Sequence, residues 1–173
     1  MPHKLSAGIL LYRMRNGGVL EVLIAHMGGP FWKNRDDGGW SIPKGEYMAS
    51  DDPFEVACRE FQEELGSPVP AKAFLDLGSV KQPSGKVLSV WAAKGAFDVS
   101  KAVSNTFEME WPKGSGSVQQ FPEVDRVAWF DIPQARRKLL PGHLPFLDRL
   151  AEAISHQERS QEAATVQVPL PFA

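Results

Sequence analysis

Three glutamates, Glu60, Glu63 and Glu64, stand at i, i+3 and i+4 in a stretch with helical periodicity, so their carboxylates crowd one patch of surface. Like charges at that spacing repel. A solvated acidic face is the simplest account of such a run, but two features oppose it. No Lys or Arg stands four residues further on to pair with the cluster, and clustered hard oxygen donors are what Mg²⁺ or Mn²⁺ requires. A divalent cation would turn the repulsion into binding.

The element that must hold these groups is a short amphipathic helix. Ser50, Asp51 or Asp52 can cap its start, Pro53 suits the first helical position because its missing N–H needs no partner there, and Gly66 can close the other end. Phe54, Ala57, Cys58, Phe61 and Leu65 form one apolar stripe at the helical period. Ahead of it lies a turn-rich loop that begins at Gly45.

Gly45, five residues, Asp51, seven residues and then Arg59-Glu60-Phe61-Gln62-Glu63-Glu64-Leu65-Gly66 closely resemble the Nudix box of the MutT-like Nudix hydrolases. Two positions depart from the family pattern. Asp51 stands where the family has Glu, keeping the charge with a shorter reach, and Ser67 replaces an apolar residue. The resemblance covers roughly residues 4 to 152. It implies an α+β Nudix fold, a mixed β-sheet between helices (α/β/α). It also implies a metal site of the Gly45 carbonyl with Glu60, Glu63 and Glu64. Arg59 would be structural, pairing with a carboxylate to brace the loop against the helix, and Asp51 and Gly66 would be structural too.

The lead-in Trp40-Ser41-Ile42-Pro43-Lys44-Gly45 is similar to that of the asymmetrical diadenosine tetraphosphate hydrolases. Lys44 would then direct a fixed positive charge at a polyphosphate, where otherwise it is a surface lysine. Such chemistry also needs a general base. Glu60 and Glu64 are candidates, and so is Glu123, six residues before Trp129, because a glutamate so placed before a Trp-containing strand recurs in the diadenosine-type enzymes; an ordinary surface acid is the alternative for Glu123. Glu108 and Glu110 are weaker candidates on spacing. His3, His26, His143 and His156 are scattered and form no ligand pair, which argues against zinc.

The remaining elements follow from pattern. Apolar runs at 6–12 and 20–25 flank Asn16-Gly17-Gly18, a hairpin signal. A long loop from His26 to Gly39 carries Phe31 and Trp32, which could stack a base or fold back on the core. Strands are expected at 74–80, 87–97 and 127–130, and helices at 133–140 and 144–156. Asn105 to Ser117 alternates around Met109 and then becomes a flexible loop suited to closing over a ligand. A single domain over 1–156, with its box at 45–66, is expected to precede a poorly ordered polar tail over 157–173.

Composition narrows the function. The 173 residues are 43% hydrophobic and 23% charged with a net charge of −2, so no general basic surface invites a nucleic acid polymer or an acidic membrane. A free nucleotide needs only a local cluster. The single Cys58 falls on the apolar stripe, which fits a structural thiol in a reducing, cytoplasmic compartment, and no apolar run approaches membrane-spanning length. The expected protein is a Mg²⁺- or Mn²⁺-dependent pyrophosphohydrolase acting on a nucleotide-type small molecule. A dinucleoside polyphosphate leads, a nucleoside triphosphate or ADP-ribose is the alternative, and a nucleotide sensor without turnover is the competing class, argued from Asp51 alone.

Overall fold

The computed structural model describes residues 3–166. Strand β1 (Leu5–Arg15) turns at Gly17 and Gly18, both at positive φ, into β2 (Val19–Met27), its antiparallel partner. After a loop come the short β3 (Trp40–Ser41), which pairs with the end of β2, and β4 (Lys44–Tyr47), which pairs with the first residues of β1. Helix α1 (Pro53–Leu65) follows, then β5 (Leu75–Lys81) and β6 (Val87–Lys94), another antiparallel pair. β6 runs parallel to β1, and β9 (Val124–Asp131) lies antiparallel to β2, so the seven-stranded sheet is mixed.

Helices cover both faces of this sheet, and the sequence of β1 reflects it. Ile9 and Leu11 point to one side, where with Ala7 and Leu23 they bury Val56, Ala57, Phe61 and Leu65 of α1. Leu10 and Tyr12 point to the other side, where with Val22, Ile24 and Val90 they meet Ala135, Phe146, Leu147 and Leu150. Those last four residues belong to α2 (Ile132–Lys138) and α3 (Leu144–Val166). A strand buried on both faces reads as a continuous apolar run, which Ile9-Leu10-Leu11-Tyr12 is. Burial of each large side chain stabilises by about 1.5–3 kcal/mol, so this sandwich is a stiff base for α1.

The alternation around Met109 is strand β7 (Thr106–Glu110), and the loop expected after it leads into an antiparallel partner that the sequence did not announce, β8 (Val118–Pro122), which places Phe107 opposite Phe121. The β8 partner, Val-Gln-Gln-Phe-Pro, has too little apolar alternation to announce a strand. Helix α3 continues past His156 to Val166, through much of the segment expected to be poorly ordered. From Gln157 to Val166 there is no Gly or Pro, and Gln, Glu, Arg and Ala extend an already nucleated helix at little cost. The rest of the expected tail, 167–173, lies outside the described residues. Among the described residues no helix is long and apolar enough to cross a membrane.

Candidate active site

The start of α1 is set by Asp52, whose carboxylate accepts the N–H groups of Phe54 (2.9 Å) and Glu55 (3.2 Å), with Pro53 in the first turn. Its end is set by Gly66, at φ 85°, whose N–H donates to the Gln62 carbonyl at 2.7 Å. Asp51 takes no part in that cap. Its Oδ2 accepts the Met48 N–H at 2.9 Å, while its own N–H donates to the Met48 carbonyl at 2.8 Å, closing the turn between β4 and α1.

Where α1 crosses β4, Glu60 lies flat against the strand. A Cβ on Gly45 would fall 2.0 Å from Glu60 Cδ and 2.3 Å from its Oε2, so only glycine permits this approach. One turn on, the Lys44 backbone N–H donates to the Glu64 carboxylate. The two glutamates are therefore held by backbone at Lys44 and Gly45.

They open into a cavity of about 460 Å³, together with Glu63, Lys44, Gly45 and Glu123, between the aromatic walls of Trp32 and Phe107. Glu123 arrives there through a chain of backbone bonds. Asn105 N–H donates to the Glu63 carbonyl (2.9 Å), Glu123 N–H to the Asn105 carbonyl (2.8 Å), and Gly28 N–H to the Glu123 carbonyl (2.9 Å). Ser104 Oγ accepts the Val124 N–H at 3.0 Å. A Cβ on Gly28 would lie 1.9 Å from the Pro122 carbonyl oxygen, so this close docking also needs glycine. The last turn of α1, the 104–105 segment and the loop after β2 thus clamp the corner that bears Glu123.

Burial and crowding raise the proton affinity of these acids. Glu64 is pushed up to about 8, first by burial and then by Glu123 and Glu60, while Lys44 opposes the shift. Burial also raises Glu60, with Glu63 adding to it, and raises Glu123, again with Glu63 adding. Lys44 is lowered by its own burial, and its attraction to Glu64 partly restores the charge. Arg59 is the other nearby cation, at 3.7 Å from Glu60 and 3.8 Å from Glu63, with its side chain 57% exposed. It pairs along its own helix, where the resemblance implies a brace to the preceding loop; an exposed pair of this kind contributes at most about 1 kcal/mol.

An acid-rich pocket with so little compensating positive charge suits a hard divalent cation, and the Gly45 carbonyl and the α1 carboxylates are its natural oxygen donors. Among the described residues no group of three acidic, histidine or cysteine side chains already forms a finished cage.

Of the other expected site residues, Trp32 lines the cavity, but Phe31 does not: it is 66% exposed and packs edge-on against Trp111 at 5.3 Å. Neither ring folds into the core. Glu108 and Glu110 are exposed on β7 and point away from the cavity wall formed by Phe107. Sequence reasoning missed Phe107, for which the Phe107/Met109 alternation was the available signal. It also missed His26, which is fully buried and ties β2 to the loop that follows it and to β9, with Nδ1 2.6 Å from Asp125 and Nε2 2.6 Å from the Arg35 carbonyl. Cys58 is half-buried and burial raises its thiol, as suits a structural residue.

The profile of the NUDIX domain matches residues 2–150. The chain belongs to the Nudix family. No curated protein has a significant sequence match to it. Solved Nudix structures share the fold at low identity. The NUDIX domain of Shewanella oneidensis NrtR complexed with ADP ribose has a TM-score of 0.60 at 17% identity, over 89% of this chain and 90% of that one. A C. elegans Ap4A hydrolase binary complex has a TM-score of 0.58 at 18% identity, over 87% and 98%. A mutT/nudix family protein from Listeria innocua has 0.60 at 17%, over 91% and 97%.

Proposed function

We propose that this Nudix protein is a Mg²⁺- or Mn²⁺-dependent pyrophosphohydrolase of the cytoplasm. It cleaves a nucleoside diphosphate linked to another group, and its substrate is a dinucleoside polyphosphate such as diadenosine tetraphosphate, giving ATP and AMP. The observation that carries this reading is the meeting of Glu60, Glu63, Glu64 and Glu123 with Lys44 in one cavity.

A phosphoanhydride is kinetically inert because its negative charge repels nucleophiles. When bound, the metal supplies charge neutralisation and polarises the phosphoryl oxygens. Glu60, Glu63, Glu64 and the Gly45 carbonyl are the groups that would hold it. Lys44 adds an ammonium at the floor of the cavity, where the phosphate chain lies. Glu123 comes from a different element than the α1 acids, and its raised proton affinity suits it to take the proton of the attacking water at its carboxylate. Glu60 and Glu64 are the other candidates for that role. Trp32 and Phe107 flank the chain and keep bulk water from it.

Asp51 bonds within its own turn and lies outside the cavity, which supports turnover over a sensor role. The test is product analysis on diadenosine tetraphosphate, ADP-ribose, nucleoside triphosphates and nucleotide sugars, with Mg²⁺ and with EDTA. ATP plus AMP from the tetraphosphate with Mg²⁺ alone is the expected result. Turnover of a different member keeps the mechanism and replaces the substrate, whereas nucleotide binding without any turnover contradicts the enzyme reading.

A further inference from the structure

His26, at the end of β2, is fully buried, and each of its ring nitrogens lies 2.6 Å from an oxygen: Nδ1 from Asp125 Oδ1 and Nε2 from the Arg35 carbonyl. We propose that His26 is a positioning residue for the acidic cavity, an imidazolium that fastens the corner bearing Glu123 to the loop bearing Trp32. The chemistry of Glu123 and Trp32 is that of the pyrophosphohydrolase reading, on which this role rests.

The charge on the ring follows from its partners. A carboxylate and a carbonyl only accept, so each nitrogen donates, and a ring that donates from both carries a positive charge. A neutral ring would set a nitrogen lone pair against an oxygen lone pair in a buried site. Asp125 supplies the opposite charge. Its other cation is Arg126, whose Nε lies 3.9 Å away on a side chain that is 55% exposed. The charged groups on the next elements, Asp36 of the loop and Lys138 of α2, pair with each other. Asp36 also accepts the Trp40 Nε1–H at 2.9 Å, and the Trp40 ring meets His26 edge-on, with centroids 5.3 Å apart.

Toward β9 the His26 bond crosses a β-bulge. His26 pairs with Arg126 and Met27 with Val124, so Asp125 is the extra residue of β9, with no ladder partner on β2. A bulge bends its strand and re-aims the side chains beside it, and this one lies two residues from Glu123. Gly28 N–H holds the Glu123 carbonyl from the same end of β2 at 2.9 Å, so His26 and Gly28 fix the corner at two points. Toward the loop, Arg35 N–H donates to the Trp32 carbonyl at 3.0 Å, and the Arg35 guanidinium lies over the Trp32 ring, 5.3 Å from its centroid. A Cβ on Gly39 would fall 2.2 Å from the Arg35 carbonyl oxygen and 3.2 Å from His26 Nε2, so glycine there leaves room for that bond. Glu123 and Trp32 both line the acidic cavity, and one buried ring ties their segments together.

The experiment first reads the ring, in a long-range ¹H–¹⁵N NMR spectrum of the ¹⁵N-labelled full chain near neutral pH, without metal or substrate. Wild type should carry a proton on both His26 nitrogens, and a bare nitrogen overturns the proposal. Asp125→Asn removes the charge and keeps the shape, so His26 should lose one proton and the amides of Trp32–Arg35, across the ring, should shift. Shifts confined to β9 overturn the coupling. Arg126→Gln takes away the other cation beside Asp125 and should leave both protons in place; loss of one there overturns the assignment to the His26–Asp125 pair. On whichever substrate wild type hydrolyses, Asp125→Asn should lower kcat about 10–10²-fold with a smaller change in KM, because the base is misplaced while the metal and phosphate contacts stay. An unchanged kcat in Asp125→Asn, or an equal loss in Arg126→Gln, overturns the positioning role. If wild type hydrolyses nothing, the enzyme reading fails, and the ring protons and the Trp32–Arg35 shifts still decide whether His26 fastens the two segments.

Discussion

Glu64 shows how burial and function oppose each other at a single residue. Its folded-state pKa of about 8 lies above the ordinary value of 4.5. Between those pH values the unfolded chain has lost a proton that the folded chain retains, so this residue's contribution to stability falls as pH rises through that window. Glu64→Gln removes the cost. Above about pH 8 in EDTA, the variant should melt about 2–4 °C higher than the parent by circular dichroism, and a lower Tm would contradict the account. Gly45 carries a different prediction. Gly45→Ala places a methyl group on Glu60 and should leave the fold intact while cutting metal-dependent turnover about 10²-fold, since an ångström of misplacement costs that much. Glu123→Gln should lower kcat by about 10²–10⁴ with little change in KM and remove the acidic limb of the pH–rate profile; a profile that keeps that limb moves the base to α1.

At the scale of elements, α1 was readable because everything that defines it is local. Pro53, Gly66, the apolar stripe and the glutamate spacing all lie within one short segment; only the choice of Asp52 over its neighbours as the cap needed the structure. Asp52→Ala should cost about 1 kcal/mol in urea unfolding, and a change near zero would mean the cap does not set this helix start. The clamp around Glu123 has no such local signal. It consists of backbone bonds from Glu63 to Asn105 to Glu123 to Gly28, residues far apart in sequence, and backbone donors and acceptors are alike at every position. A family likeness offered Glu123 only as a candidate beside an ordinary surface acid, and nothing local in the sequence signalled the clamp that sets it at the cavity. The β7–β8 hairpin was half visible, since Phe107 and Met109 alternate with acids but β8 is nearly uniform in polarity.

At the scale of the molecule, one sheet divides two tasks. Its α1 face anchors the carboxylates, and its other face packs the core against α2 and α3. The two-faced sheet could be read from the unbroken apolar run in β1. The bridge at His26 could not, because Asp125 and Arg35 come from a strand and a loop that meet only in the folded chain, and His26 alone carries no pattern. The reach of α3 to Val166 depended on helix propensity winning over polarity, a contest that composition alone does not decide.

The most direct test of the account compares wild type and Glu64→Gln in steady-state hydrolysis of diadenosine tetraphosphate, each with Mg²⁺ and with EDTA, on samples whose circular dichroism spectra match. The prediction is turnover to ATP and AMP by wild type with Mg²⁺ only, falling by about 10²-fold or more in Glu64→Gln. Equal turnover in EDTA, or in a folded Glu64→Gln variant, would contradict the claim that the acidic cavity on α1 is a metal-dependent catalytic centre.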